Sequence, residues 1–334
     1  GVWIMAYTTI DNPELYFQTV LYTGNGSAGK AVTFDGDEDM QPDLVWIKQR
    51  DSRDHFLFNS VVGATKYLAS NLTQTEQTDA NTMTGFDSDG FTLGNGVGVN
   101  ENTDGHVAWC WKESADSGFD IVSWSGTGSA QNVSHSLSAV PTMIIVKNRS
   151  AVVDWYVYNV HNGNTHSLTL NTTSAKAGPY SDNWNNTTPT SSVFTVGSSQ
   201  STGGSSGNNM IAYVFTDIQG FSKFGSYSSN SNADGPFVYL GFRPAWLMIK
   251  CTTATEHWTV FDNKREPTND GVMTQSNASG SSGEGTLNIH FLSNGFKILE
   301  VTGQTNKSGS HSYVYMAFAE QPFVNSNGVP CNAR

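Results

Sequence analysis

One short stretch occurs three times in the chain, as Pro42-Asp-Leu-Val-Trp-Ile-Lys48, Pro141-Thr-Met-Ile-Ile-Val-Lys147 and Pro244-Ala-Trp-Leu-Met-Ile-Lys250. Each copy is a proline, a variable residue, four apolar residues and a lysine, and the copies begin 99 and 103 residues apart. A period of that size is too long for a solenoid, whose repeats run to about 50 residues. It matches the commonest domain size instead. Any fold for this chain must therefore build one unit three times.

Other segments align on the same register. Phe17, Phe119 and Phe221 lead into Tyr22-Thr-Gly-Asn-Gly-Ser27, Trp124-Ser-Gly-Thr-Gly-Ser129 and a degenerate Tyr227-Ser-Ser-Asn-Ser231. After the lysines come Asp54 to Asn59, Asp154 to Asn159 and His257 to Asp262. Each unit closes on an apolar run at Val107–Trp111, Ile211–Phe215 and Val314–Phe318. The boundaries are an arm at 1–16, units at 17–116, 117–218 and 219–322, and a tail at 323–334. The joints Lys112–Gly118 and Asp217–Gly220 are short, which predicts a compact or rod-like array rather than flexible beads. Residues 1–16 have no counterpart in the other units and read as a frayed arm or a docking segment for a partner.

The periodicity is that of strands. Leu44–Ile47 is a continuous apolar run, as in a strand buried on both faces. Val107, Trp109 and Trp111 alternate with Ala108 and Cys110, while Gly24-Asn-Gly26, Asp35-Gly36 and Asp87-Ser-Asp-Gly90 mark turns. The least poor helix candidate is Ala64–Thr75. The expected fold is all-β, with three tandem antiparallel sandwich, jelly-roll-like repeats of about 100 residues. The repeated aromatic residues read as core.

Charged residues make up 14% of the chain and the net charge is -12. No basic stripe exists to neutralise phosphates, which argues against nucleic acid and against an anionic membrane surface. No apolar run approaches the length of a bilayer span. No signal-peptide pattern is seen, and Met5 reads as a natural start. Cys110 and Cys251 read as buried free thiols, with Cys331 apart from both.

The chemical motifs are weak. Gly24-Asn-Gly-Ser-Ala-Gly-Lys30-Ala31 approaches a phosphate loop, but Ala31 stands where Ser or Thr must hold Mg²⁺ and a strand-like segment follows, so it reads as a hairpin turn. The eight histidines are scattered, no nucleophile elbow appears, and two carboxylates for glycoside cleavage could be drawn from any of 29 acids. The residues Asp35, Asp37, Asp39, Asp87 and Asp89 sit on turns and are Ca²⁺ candidates against a reading as solvated acidic turns. Lys48, Lys147 and Lys250 are either lysines that end a buried strand and snorkel to water, or three equivalent ligands for an acidic glycan. Arg50 and Arg149 follow two of them, but Thr252 follows the third. Tyr180, Asp182 and Trp184 are further glycan-contact candidates on an exposed loop. No cofactor is expected.

Several motifs together carry a resemblance. They are Tyr22–Ser27, Gln41-Pro-Asp-Leu-Val-Trp-Ile-Lys-Gln-Arg50, Gly90-Phe-Thr-Leu-Gly94, Val107-Ala-Trp-Cys-Trp-Lys112 and the tail Met316–Pro330. From Met5 onward the chain resembles exterior virion proteins of marine tailed bacteriophages, including tail-fibre-like components. The resemblance implies a non-enzymatic structural protein on the virion exterior, made in the host cytoplasm, self-associating as a homo-oligomer and contacting other virion proteins. Host surface polysaccharide is a candidate partner. A capsid decoration or connector protein without glycan binding, and a glycan-degrading virion enzyme, are the alternatives.

Overall fold

The lysine-ended segments form the central strands Leu44–Gln49, Met143–Asn148 and Phe242–Cys251, and the first two are buried along their whole length. The structure, a computed structural model, describes residues 7–266 and 272–331. In each unit the central strand lies between a closing strand (Gly105–Trp111, Asn209–Phe215, Ser312–Pro322) and a hairpin strand (His55–Asn59, Tyr156–Asn159, Trp258–Asp262). A leading strand (Phe17–Thr23, Phe119–Ser125, Ser222–Ser228) pairs with the far side of the closing strand. All pairings between described strands are antiparallel.

Burial on two faces has two different causes. Alternate residues point to opposite faces of a strand. Leu44 and Trp46 belong to one large core, while Val45 and Ile47 belong to a core private to the first unit. Met143 and Ile145 join the same large core, and Ile144 and Val146 face a private one. Each private core is closed by a small sheet whose rim strand, Lys30–Val32 or Gln131–Ser134, pairs with Gly90–Leu93 or Val193–Val196. In the third unit the equivalent pair, Phe237–Tyr239 with Gly295–Ile298, continues the large sheet through Val272–Asn277 and Gly285–Leu292. Its eight strands therefore end in two edges, Ser222–Ser228 and Phe237–Tyr239.

The fold is the all-β antiparallel sandwich expected. The arrangement of units is neither a rod nor independent domains, because one face of all three large sheets packs into a single shared core containing Trp46, Trp109, Trp155, Tyr213, Trp246 and Trp258. A ring of equivalent hydrogen bonds closes around it. Trp155 Nε1 donates to Ala69 O of the first unit at 2.9 Å, Trp258 Nε1 to Thr169 O of the second at 2.9 Å, and His55 Nε2 lies 3.2 Å from Asn277 O of the third. His55 holds the other end of its ring against Trp46, whose Nε1 is 2.8 Å from Nδ1, so the proton sits on Nε2. Burial lowers the pKa of His55 and keeps it neutral.

The seams repeat as well. Glu76 N donates to Arg149 O, Glu284 N to Arg50 O, and Lys176 N to Thr252 O. Arg149 pairs with Glu76 at 2.6 Å and Arg50 with Glu284 at 2.8 Å. The third seam has Thr252 in place of arginine and Lys176 in place of glutamate, so it keeps neither partner of the ion pair.

Several expectations are corrected. Ala64–Thr75 holds the strand Lys66–Ala69, because Leu68 is drawn into the shared core and Phe56 and Leu57 pair with Ala69 and Leu68. Gly24–Ala31 crosses from the large sheet to the small one rather than closing a hairpin. Ser222, not Phe221, matches Phe17 and Phe119, since these three oppose Phe318, Trp111 and Phe215. The described part of the arm is docked: Ile10 enters the shared core, Tyr7 Oη donates to Gly241 O at 2.8 Å, and Ser326 N donates to Asp11 Oδ1 at 2.6 Å. Residues 1–6 and 332–334 lie outside the described residues. Cys110 and Cys251 are buried free thiols, as expected.

Candidate functional site

The three repeated lysines face inward. Lys48, Lys147 and Lys250 are at most 1% exposed. Lys147 Nζ donates to Val153 O at 2.7 Å, to Ala151 O at 3.3 Å and across the seam to Thr73 O at 3.0 Å. Lys250 Nζ donates to Glu256 O at 2.5 Å and across the next seam to Thr173 O at 2.8 Å, and Lys48 Nζ donates to Gln49 O at 2.7 Å and Ser52 O at 2.5 Å. Burial pulls all three pKa values down to about 8. An ammonium has three donors, and Lys147 spends all of them on carbonyls. The lysines are staples of the fold and are not presented to a glycan. They do not snorkel to water either, because the strands are buried on both faces and each ammonium ends among carbonyls.

Tyr180, Asp182 and Trp184 do not form one surface. Tyr180 and Asp182 are exposed, but Trp184 is buried in the second private core with its Nε1 2.8 Å from Ser167 Oγ. The acidic turns do not converge either. Asp35 pairs with Lys264 at 2.9 Å, Asp87 accepts from Thr92 Oγ1 at 2.7 Å, and Asp89 accepts from Met40 N at 3.3 Å, while Asp37 and Asp39 face solvent. Among the described residues no group of three His, Cys, Asp or Glu side chains is placed to hold a metal ion.

The feature with the geometry of a site lies between the two edges of the eight-stranded sheet. Here a groove opens in two adjoining lobes of ≈ 440 and ≈ 390 Å³ that share Asp217, Lys223 and Tyr239. Phe237 and Tyr239 stand on its rim, 47% and 50% exposed. Tyr7, anchored by its bond to Gly241, lies with its hydroxyl 3.3 Å from that of Tyr239. Lys223 bridges the edges: Nζ donates to Tyr239 O at 2.9 Å and sits 5.5 Å from the centre of the Tyr239 ring. The Asp217 carboxylate accepts from Phe224 N at 3.0 Å and Thr142 Oγ1 at 3.2 Å, and burial raises its pKa. His161 of the second unit reaches the same groove, with Nε2 3.4 Å from Phe224 O.

Tyr315 lines the groove from the closing strand. It is 3% exposed, and its hydroxyl makes no hydrogen bond among the described residues. Burial raises its pKa, and the charge of Asp217 adds to the shift, so the phenol keeps its proton. The hydroxyl has room only because its cross-strand partner is Gly225: a Cβ there would come within 2.2 Å of the Tyr315 oxygen. Of these groove residues sequence reasoning weighed His161 alone, as a zinc ligand with His166, and set it aside.

Fold and groove define an all-β protein of antiparallel sheets, closed around one shared core and open at an aromatic-lined edge in the third unit. Residues 12–322 match the family model described as a domain of unknown function, DUF7483, and the chain belongs to that family. A comparison with curated proteins finds no match.

Proposed function

We propose that the chain is a non-enzymatic structural protein of a tailed-phage virion exterior, which self-associates and presents its third unit to the host surface. The observation that carries the reading is how the repeated polar residues are used. The lysines, the Trp155, Trp258 and His55 ring and the Arg–Glu seams all hold one unit to its own turns or to the next. The chemistry that triplication preserved is the chemistry of assembly. A body stapled in this way suits a particle component, and the resemblance of Tyr22–Ser27, Gln41–Arg50 and Met316–Pro330 to exterior phage proteins points the same way.

A shared core gives a compact head rather than a shaft segment, which also suits a decoration protein seated on a capsid. Labelling intact particles with an antibody against this chain, viewed by electron microscopy, separates the two. Label on distal appendages supports host contact, and label over the capsid supports decoration. Particles that carry no label, with the chain left among the soluble lysate proteins, contradict a virion role.

A further inference from the structure

Triplication provides an internal control, because each position of the third unit has two counterparts. The pair Gly225–Tyr315 corresponds to Val20–Ala108 and Val122–Ala212. Twice the leading strand supplies bulk and the closing strand a methyl group. In the third unit the sizes are reversed, and a phenol lies across a glycine. On the rim strand Val238 corresponds to Val32 and Val133, each paired with a phenylalanine. Its neighbours Phe237 and Tyr239 thus stand where the other units have exposed Ala31 and Thr33, or Asn132 and Ser134. Lys223 replaces Gln18 and Asp120. These departures all line one groove.

We propose that this groove is a saccharide-binding site, in which Phe237 and Tyr239 stack on the sugar's C–H face and Tyr315 and Asp217 bind its hydroxyls. A sugar ring is apolar on its face and polar around its rim, which matches exposed rings beside hydroxyl, carboxyl and ammonium groups. The Tyr315 hydroxyl has no protein partner among the described residues and lies on the groove wall, where a ligand hydroxyl can pair with it. Strand addition by a peptide is obstructed, because the Lys223 ammonium occupies Tyr239 O between the two edges. Nucleic acid is disfavoured by a net charge of -12, and among the described residues the basic side chains lining the groove are Lys223 and His161. The inference deepens the host-contact reading by giving it a place, yet its test needs only the purified chain.

The test is retention of the labelled full chain on an array of neutral and uronic-acid oligosaccharides, with each hit titrated calorimetrically as free oligosaccharide. Weak binding is expected, with Kd on the order of 10⁻⁵ to 10⁻³ M. The double substitution Gly225→Val with Tyr315→Ala rebuilds the Val–Ala pair of the other units and is expected to lower affinity at least tenfold while the Tm holds. Should that variant fail to fold, Tyr239→Ala on the exposed rim is expected to cause a similar loss. The proposal is overturned if the array retains nothing, if the substituted chains bind as the parent does, or if a peptide library binds the groove and saccharides do not. None of these results bears on where particle labelling places the chain.

Discussion

The ammonium of Lys147 lies 2.7 Å from the Val153 carbonyl in its own unit and 3.0 Å from the Thr73 carbonyl in the unit before it. A residue that ends a strand of one sheet therefore fixes a loop of another. Lys147→Met keeps the stem and removes three donors, leaving three carbonyls short of a partner. The expected loss is about 2–4 kcal/mol in urea unfolding. A loss below about 0.5 kcal/mol, the range of ordinary surface changes, would contradict the assignment.

The Arg149 and Glu76 pair can be exchanged for the residues of the third seam. Arg149→Thr leaves Glu76 with Lys66 as its cation, at the longer distance of 3.9 Å, and is expected to cost about 1–3 kcal/mol. Adding Glu76→Lys recreates the Thr252 and Lys176 combination of the next seam and is expected to recover part of that loss. A double-mutant cycle measures the coupling, and strict additivity would show that the pair does not act as one unit.

Trp155→Phe tests the ring. Phenylalanine keeps aromatic packing in the shared core but loses the N–H that reaches Ala69 O at 2.9 Å and Leu72 O at 3.2 Å. Thermal unfolding is expected to show a loss of about 1–3 kcal/mol. An unchanged Tm would mean that the bond contributes nothing net.

Glu113 makes stability depend on pH. Burial, then a hydrogen bond with Asp120, raises its pKa from 4.5 to about 7. The folded chain holds this proton more tightly than the unfolded chain. The resulting stabilisation is complete below pH 4.5 and is lost as pH rises through about 7. Glu113→Gln keeps an acceptor for Ile121 N and a donor toward Asp120. Its Tm is expected to equal the parent's at pH 5 and exceed it at pH 8. A constant difference between the two proteins across that range would remove Glu113 from the account.

Much of the fold is legible in the sequence. The Leu44–Ile47 run announces a strand buried on both faces, and the repeat announces three such strands. What covers the second face is not legible, because apolar periodicity is the same whether the partner is a small sheet or a neighbouring unit. The lysines mislead for a related reason, since neutral carbonyls hold them and leave no trace of a partner in the side-chain pattern. The groove was hidden by a single residue. Aligning Phe221 with Phe119 sets Gly225 against Ser123, whereas the strand pairing sets it against Val122. A slip of one position exchanges the two faces of a strand. The Gly–Tyr inversion is visible only in the correct register.

Scanning calorimetry of the whole chain tests the central claim, that three units share one core. A single transition is expected, with calorimetric and van't Hoff enthalpies equal and near about 230 kcal/mol for a chain of this length. Resolved transitions, or a van't Hoff enthalpy near a third of the calorimetric value, would show that the units melt independently and would contradict the closed ring.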